Sequence, residues 1–327
     1  MAFSKRMYIQ RPVLPVAASR KTNLPPDNSQ EAIAFFESFE TYFGRSQLRD
    51  RFKRMYKLLA TDIDDTLLAP DGSLPEQNRE VLRRLHKRGV TIVFCSGRAD
   101  VSIQRIASAI LEPVDNEYLI SFNGARVVTA RSRTIVSRDY VEPGAIARVV
   151  NYAQRHDLYL QGYQGDRFFA ERETDDTRAY ARATQMEYEI VSDLVAALPE
   201  GSPKLLLIDD HDVLLEHTNP LYALSQANVA NDSFEAMFSK SRYLEVVRPG
   251  VNKGTALAAL ARRLRIDIGE VVAVGDSAND VDMIKAAGVG VAVASGREEA
   301  KRASDLVLER RASEAALVEL EERLFSK

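Results

Sequence analysis

Cysteine is nearly absent: Cys95 is the only one in 327 residues. No intramolecular disulfide is possible, which fits a reducing compartment. No run of about 18 apolar residues occurs, which excludes a membrane-spanning helix. Neither sign of charge dominates, with 44 Lys and Arg against 47 Asp and Glu and a net charge of −3. No global field therefore draws the chain to nucleic acid or to an anionic membrane. The four histidines (His86, His156, His211, His217) fall in different predicted settings without metal-ligand spacing and read as structural or surface residues. A Gly-rich loop ending in Gly-Lys-Ser/Thr is missing too, which removes a Walker nucleotide site.

What is present suits a globular cytoplasmic protein of about two domains, with 45% hydrophobic and 28% charged residues. The ends differ in kind. Residues 1–54 carry 10 Lys and Arg against 5 Asp and Glu, net +5, leaving −8 for the remainder. Met1 to Asp27 has no periodicity, four prolines (Pro12, Pro15, Pro25, Pro26) and no acid before Asp27, and reads as an extended tail. Val13–Ala18, broken by Pro15, is too short for a secretory signal; an organellar transit peptide stays open as the alternative. Asn28 and Glu31 form a capping-box pattern, and Ala32, Phe36, Phe39 and Phe43 follow helical spacing up to Gly44. Such an aromatic helix is expected to pack on the rest of the protein or on another subunit. Binding to an anionic surface through Arg45, Arg49, Arg51, Lys53 and Arg54 is the other reading.

From Met55 the pattern becomes strand and helix in alternation: KLLATD, a helix over Pro75–Lys87, VTIVFC, a helix after Arg98, then YLISFNG. Later come a helix over Gly254–Leu264, EVVAVGD, a helix over Val281–Ala287, VGVAVA and DLVL. Strands apolar on both faces and separated by helices predict a doubly wound parallel sheet. Between these two runs lies a second alternation: a helix from Pro143 to Arg155, strands near 158–163 and 167–171, a helix near 175–184, KLLLIDD and YLEVV. It predicts an inserted α+β domain with hinges near Val141–Gly144 and Val247–Val251. On it Tyr163, Asp166, Arg167 and Arg172 are polar candidates for substrate contact, with surface placement expected of each, and Asp209 and Asp210 are expected to close a turn.

Asp62, Asp64, Ser96 and Asp276 each follow the carboxyl end of a predicted parallel strand, where open α/β sheets place their ligands. In KLLATDIDDTLL an apolar strand runs into three acids, which is costly unless a cation sits among them. Asp62 and Asp64 are two apart and point to one side, with Ile63 to the other. The alternative is that these acids cap the helix or turn that follows. Lys253 opposes the dipole of the helix it opens, as a functional charge would; a solvated surface lysine is the alternative. Asp276 ends its strand beside Gly275, where backbone can approach a ligand closely. Ser96 offers a hydroxyl and neighbouring N–H groups to an anion, or serves only as an N-cap. First-turn enrichment alone would account for Asp280 and Asp282.

DIDDTL, SGR, NKG and GDSANDVDM resemble, in order, the four motifs of the haloacid dehalogenase superfamily of phosphohydrolases, within it the Cof-type, type IIB-capped branch. The resemblance runs from Met55 to about Leu308, including SFNGA at 121–125 and the segment 290–307, and leaves the first 54 residues unexplained. It implies a Rossmann-like core of residues 55–141 and 248–327, a type IIB cap of residues 142–247 and an extra N-terminal segment 1–54. It also implies that Asp62 is a nucleophile forming an aspartyl-phosphate, that Asp64 is the general acid and base, and that Lys253 holds nucleophile and phosphate. Ser96, Gly97 and Asn123 would join Lys253 in binding phosphate or substrate. Mg²⁺ would be held by Asp62, the Asp64 carbonyl and Asp276, supported from behind by Asn279 and Asp280. The family usually has Gly where this chain has Asp65, though some members have Asp. The implied reaction is Mg²⁺-dependent hydrolysis of a small phosphorylated metabolite, such as a sugar phosphate or phosphorylated cofactor. A phosphotransferase or mutase and a phosphate binder without turnover remain alternatives, although a binder needs no general acid. A receiver domain lacks the large insertion. The cysteine-phosphatase pattern fails, because the sixth position after Cys95 is Val101 rather than Arg; Cys95 is expected to be a core thiol.

Overall fold

The computed structural model describes residues 56–112, 116–226 and 232–326. The expected helix from Asn28 and the basic stretch after Gly44 lie outside them. The described chain starts with β1 (Leu58–Asp62), α1 (Glu76–Lys87), β2 (Thr91–Cys95), α2 (Asp100–Ile110) and β3 (Tyr118–Ser121). These strands pair in parallel. A short 3-10 turn, Phe122–Gly124, then reverses the chain into β4 (Arg126–Thr129) and β5 (Ile135–Arg138), an antiparallel extension that strand–helix alternation did not foretell.

Next come α3 (Pro143–Arg155), β6 (Leu160–Gln164), β7 (Arg167–Ala170), α4 (Asp175–Thr184), β8 (Glu187–Ile190), α5 (Leu194–Ala197), β9 (Leu205–Ile208), α6 (His211–Ser225), β10 (Glu235–Lys240) and β11 (Tyr243–Val247). The chain then returns through α7 (Lys253–Arg263), β12 (Val271–Gly275), α8 (Val281–Ala286), β13 (Val289–Ala292), α9 (Glu298–Ala303), β14 (Leu306–Val307) and α10 (Ala316–Leu320).

Two sheets result, one of order β14-β13-β12-β1-β2-β3-β4-β5 and one of order β10-β11-β9-β6-β7-β8. In the first, strands β14 to β3 run parallel. Alternation along its strands sorts the core. Leu59, Ile92, Phe94 and Val272 pack with Val81, Leu82 and Ile103 of α1 and α2, whereas Leu58, Val93, Cys95 and Val271 pack with Leu257, Leu260 and Met283 of α7 and α8. Each fully buried aliphatic side chain contributes about 1.5–3 kcal/mol. The strand order changes direction at β1, which lies between β12 and β2. The carboxyl ends of these adjacent strands therefore open one crevice.

The second sheet backs onto α3 and α6 through Leu160, Leu205, Leu207, Leu244, Ile146, Val149 and Leu221. Its other face carries Tyr159, Tyr163, Phe168, Leu206 and Ile208, packed with Tyr180 of α4 and with Ala99, Phe122 and Ala125 from loops of the first sheet. That face lies over the crevice. Arg133, between β4 and β5, pairs with Asp166, and Arg105 of α2 hydrogen-bonds Gln185 at 3.2 Å, tying the layers at their edge.

One expectation needs correction. Tyr163 is not on the surface: it is fully buried, because Gln161 donates to its hydroxyl at 2.6 Å and it donates to Tyr180 at 2.8 Å. Two of the histidines meet, as structural residues near the surface. The rings of His156 and His217 lie 5.2 Å from one another, and His217 Nδ1 meets the Tyr152 hydroxyl at 2.7 Å. Asp209 and Asp210 do sit at a turn, with Asp210 at the N-cap of α6.

Candidate active site

β1 delivers Asp62 to the crevice almost completely buried, and Lys253 at the first position of α7 approaches it from behind. Lys253 Nζ donates to Asp62 Oδ1 at 2.5 Å and to Asp280 Oδ1 at 2.6 Å. Zero exposure of Lys253 rules out the solvated surface lysine. Burial opposes its charge, but attraction from Asp62 and Asp280 overcomes this, so its ammonium holds its proton more tightly than a free lysine does. Its helix is capped independently by Asn252, whose side chain accepts from Thr255 N–H at 2.8 Å. The opposition to the helix dipole is thus offset by two carboxylates and a good cap.

Asp280 is held from its other side. Its Oδ2 accepts the N–H of Asp276 at 3.1 Å and of Ser277 at 3.0 Å. Gly275 makes this possible, since a Cβ there would lie 2.6 Å from the Asp280 carboxyl carbon. Asp280 thus accepts at the start of a short helical turn, as an ordinary first-turn acid would, while also pairing Lys253. Asp282 is exposed. Thr66, which sequence reading passed over, donates to Asp276 Oδ1 at 3.1 Å; the Thr closing DIDDTL was the available signal.

One carboxylate oxygen from each of Asp62, Asp276 and Asp280 lies within 4.8 Å of the others. These three acids share one ammonium, which leaves surplus negative charge in a largely dry place. Burial, with repulsion from Asp280, raises Asp62 well above the usual carboxylate range against the pull of Lys253. The same two causes push Asp276 up to about 6. A hard divalent cation would relieve this charge, and the donors are the carboxylate oxygens that Mg²⁺ or Ca²⁺ prefers.

Asp64 lies past the end of β1 and is half exposed. No helix starts until Glu76; a turn closed by Leu67 N–H to Ile63 O follows instead, and the Asp62 and Asp64 carboxylates meet Lys253 and Arg98 rather than its N–H groups. Arg98, itself partly exposed, grips Asp64 as a fork, Nε to Oδ2 at 2.9 Å and Nη2 to Oδ1 at 2.5 Å. Asp65 has φ 57°, in the left-handed region that favours Gly and tolerates Asp, which accounts for either residue at that place.

Ser96 is not an N-cap: α2 begins at Asp100 with Ala99 at its N-cap, and Ser96 Oγ accepts from Arg98 N–H at 3.2 Å. Asn123, also left-handed with φ 54°, donates its N–H to Ser96 O at 3.0 Å and accepts from Asn279 Nδ2 at 3.1 Å. Asn123 leans on Gly97, where a Cβ would come within 3.2 Å of its side chain. Gly124 follows with φ 107° beside the Asn252 carbonyl, a place only Gly fills without strain. Cys95 is buried in the sheet and its thiol is raised by that burial, as a core thiol should be.

A cavity of about 630 Å³ joins these groups. Asp62, Asp64, Ser96, Gly97, Asn123, Asp276 and Asn279 line its floor; Lys253 and Asp280 stand behind Asp62 and do not reach it. The second sheet and α4 supply its roof through Tyr180, Met186, Lys204, Tyr243 and Glu245. Sequence reading had not singled out Lys204 or Glu245. Asp166, Arg167 and Arg172 do not line it; they pair at the surface with Arg133, Glu189 and Asp157.

A doubly wound α/β sheet with an acidic crevice at its switch point, roofed by an inserted α/β layer, defines a capped Rossmann-like protein with a buried acidic site. The family model for haloacid dehalogenase-like hydrolases matches residues 59–319, and the chain belongs to that family. It is an enzyme, a phosphatase of the family. A relative in Escherichia coli O6:H1, an HMP-PP phosphatase, is 31% identical over 240 residues, covering 72% of this chain and 83% of the relative. A haloacid dehalogenase-like hydrolase from Bacteroides thetaiotaomicron superposes with a TM-score of 0.75 at 26% identity, covering 83% of this chain and all of the other. A sugar phosphatase of HAD subclass IIB shares the fold at a TM-score of 0.64 and 16% identity, covering 81% of this chain and 98% of its own. Among the described residues no helix is long and apolar enough to cross a membrane.

Proposed function

We propose that the protein hydrolyses a small phosphate monoester, a sugar phosphate or phosphorylated cofactor, in a Mg²⁺-dependent reaction that passes a phosphoryl group through Asp62. The observation that carries this reading is the buried Lys253 clamped between Asp62 and Asp280, with Asp276 alongside. Lys253 fixes one oxygen of Asp62 and leaves the other for phosphorus. The Asp62 carboxylate attacks as the ester P–O bond breaks, and Asp64 gives its proton to the leaving oxygen. Asp64 then takes a proton from the water that attacks phosphorus, releasing phosphate and restoring Asp62. The Arg98 fork fixes the orientation of the Asp64 carboxyl group. The Ser96 hydroxyl, with Gly97 and Asn123, holds the non-bridging oxygens. Asp62, the Asp64 carbonyl and Asp276 would hold Mg²⁺, with Asp280 and Asn279 behind them; when bound, the ion offsets the carboxylate charge that otherwise repels a phosphate dianion.

Residues 55–141 and 248–327 act in this reading as the core and residues 142–247 as the cap that excludes water during transfer. The name of the Escherichia coli relative adds HMP-PP to the substrates worth assaying. The test is a screen of purified protein with Mg²⁺ against p-nitrophenyl phosphate, sugar phosphates, phosphorylated cofactors and HMP-PP. Hydrolysis should vanish in EDTA, fall with excess Ca²⁺, whose looser coordination spoils in-line geometry, and leave trapped phosphate on Asp62 by mass spectrometry. Full activity in EDTA, or phosphate on a His or on Cys95, would refute it.

A further inference from the structure

A buried ion pair that does not line the cavity is left unused by the proposed chemistry. Asp100, the first residue of α2, is fully buried, and Arg126, the first residue of β4, is 9% exposed. Arg126 Nη1 donates to Asp100 Oδ1 at 3.3 Å. The pair is poorly satisfied: among the described residues Asp100 Oδ2 and Arg126 Nε have no hydrogen-bond partner. Arg133, which pairs with Asp166, stands 3.9 Å from Asp100 Oδ2 without donating to it. Burial raises the Asp100 carboxyl above the ordinary range, although Arg126 pulls it down. Apolar side chains of the same volume would avoid that cost, so stability does not account for the pair.

Position accounts for it instead. Asp100 directly follows the loop that carries Ser96 and Gly97, and Arg126 directly follows the turn that carries Asn123. The two segments run side by side, since Asn123 N–H donates to Ser96 O and Phe122 N–H to Arg98 O, each at 3.0 Å. The turn itself is strained: Phe122, Asn123 and Gly124 have φ of 49°, 54° and 107° in succession. Backbone of this kind, at Phe122 above all, persists only where its surroundings hold it. The Asp100–Arg126 pair joins the residues on which both segments end.

We propose that Asp100 and Arg126 are positioning residues for phosphate: their buried pair fixes the loop of Ser96 and Gly97 against the turn of Asn123, so that the groups meeting the non-bridging oxygens keep one geometry. This rests on the phosphatase reading above. Asp62 and Asp276 are held by Lys253 and Thr66 rather than by this pair. Loosening the pair therefore weakens the grip on phosphate and leaves the metal ligands in place.

The test uses the full chain and the double variant Asp100→Leu/Arg126→Met, which keeps much of the buried volume. Isothermal titration with inorganic phosphate, Mg²⁺ present, should give a Kd at least ~10-fold higher in the variant. Its Tm should not fall, because apolar replacement of a buried pair is often neutral or stabilising. The Mg²⁺ midpoint for p-nitrophenyl phosphate hydrolysis should stay fixed while KM rises more than kcat falls. An unchanged phosphate Kd in folded variant, with or without a lower Tm, is the signature of a merely structural pair and overturns the proposal. A shifted Mg²⁺ midpoint overturns it as well. Should the double variant not fold, Asp100→Asn keeps an acceptor for Arg126 and removes the charge; phosphate Kd should then rise at least ~3-fold, and an unchanged Kd would be equally fatal. Calorimetry needs no turnover. Absence of p-nitrophenyl phosphate hydrolysis in the unaltered protein would thus sink the phosphatase reading alone, and the phosphate Kd would still decide the role of the pair.

Discussion

Floor and roof of the cavity treat charge in opposite ways. On the floor and just behind it Asp62, Asp276 and Asp280 have a single ammonium near them, and burial, then repulsion from Asp280, raises the proton affinities of Asp62 and Asp276. On the roof one carboxylate meets one ammonium, and Glu245 keeps Lys204 charged against its burial. The imbalance on the floor is relieved by a proton or by a bound cation, which is the property the proposed metal site would use. The Lys204–Glu245 pair is balanced in itself, while Lys240 lines the same roof over the Tyr243 ring, so the roof carries no surplus of negative charge.

Breaking the floor should cost most. Asp62→Asn replaces the nucleophile by an amide while retaining an acceptor for Lys253, so turnover of every ester should fall at least ~1000-fold with the fold intact. Steady-state kinetics on p-nitrophenyl phosphate, with circular dichroism to check folding, decides this; residual activity near one tenth would exclude Asp62 as nucleophile. Asp64→Asn removes acid–base help and should lower kcat about 100-fold for alkyl esters but less for p-nitrophenyl phosphate, whose leaving group needs little protonation. Equal losses on both ester types would mean that Asp64 only positions the site.

These floor residues were legible in the sequence because each sits where local physics disfavours it: an acid cluster ending an apolar strand, a lysine opening a helix, an acid following Val-Gly. The roof residues were hidden. Alternation along KLLLI and YLEVV separates Lys204 and Glu245 from Leu205 and Leu244, yet which face meets the crevice depends on how the second sheet packs on the first. Tyr163 read as a surface candidate because its partners Gln161 and Tyr180 are also polar, and only the folded strand brings their hydrogen bonds together. His156 follows α3 and His217 lies in α6, so no spacing rule could join them. The turn before β4 holds Phe122, Asn123 and Gly124 at positive φ; Asn and Gly suit that region and Phe does not, so Phe122 is the residue that masked the reversal.

A gentler way to separate floor from roof is pH. Asp62 and Asp276 have folded-state values above the ordinary carboxylate range, about 6 for Asp276. Their contribution to stability is therefore fully present below the unfolded carboxylate value and is lost as pH rises through the raised one. In EDTA, the floor's share of stability should grow between pH 7.5 and pH 5. Mg²⁺ competes with those protons, so the rise in Tm it produces should be larger at pH 7.5 than at pH 5. Thermal unfolding with and without Mg²⁺ at both pH values measures this, and a larger increment at pH 5 would contradict the assignment of these acids to a metal.

The smallest effect should come from the roof. Tyr163→Phe keeps the ring against Phe122, at 5.5 Å between centroids, but deletes the hydroxyl that accepts from Gln161 and donates to Tyr180. Two buried polar groups lose a partner, which should cost about 1–2 kcal/mol. For a chain of this size that lowers Tm by roughly 2–6 °C. The floor does not touch Tyr163, so the Mg²⁺ dependence of p-nitrophenyl phosphate hydrolysis should keep its midpoint. If Tm is unchanged, Gln161 and Tyr180 have found other partners and the roof is not prearranged. If instead the Mg²⁺ midpoint moves with Tm, floor and roof are one mechanical unit, and their separation fails at that residue.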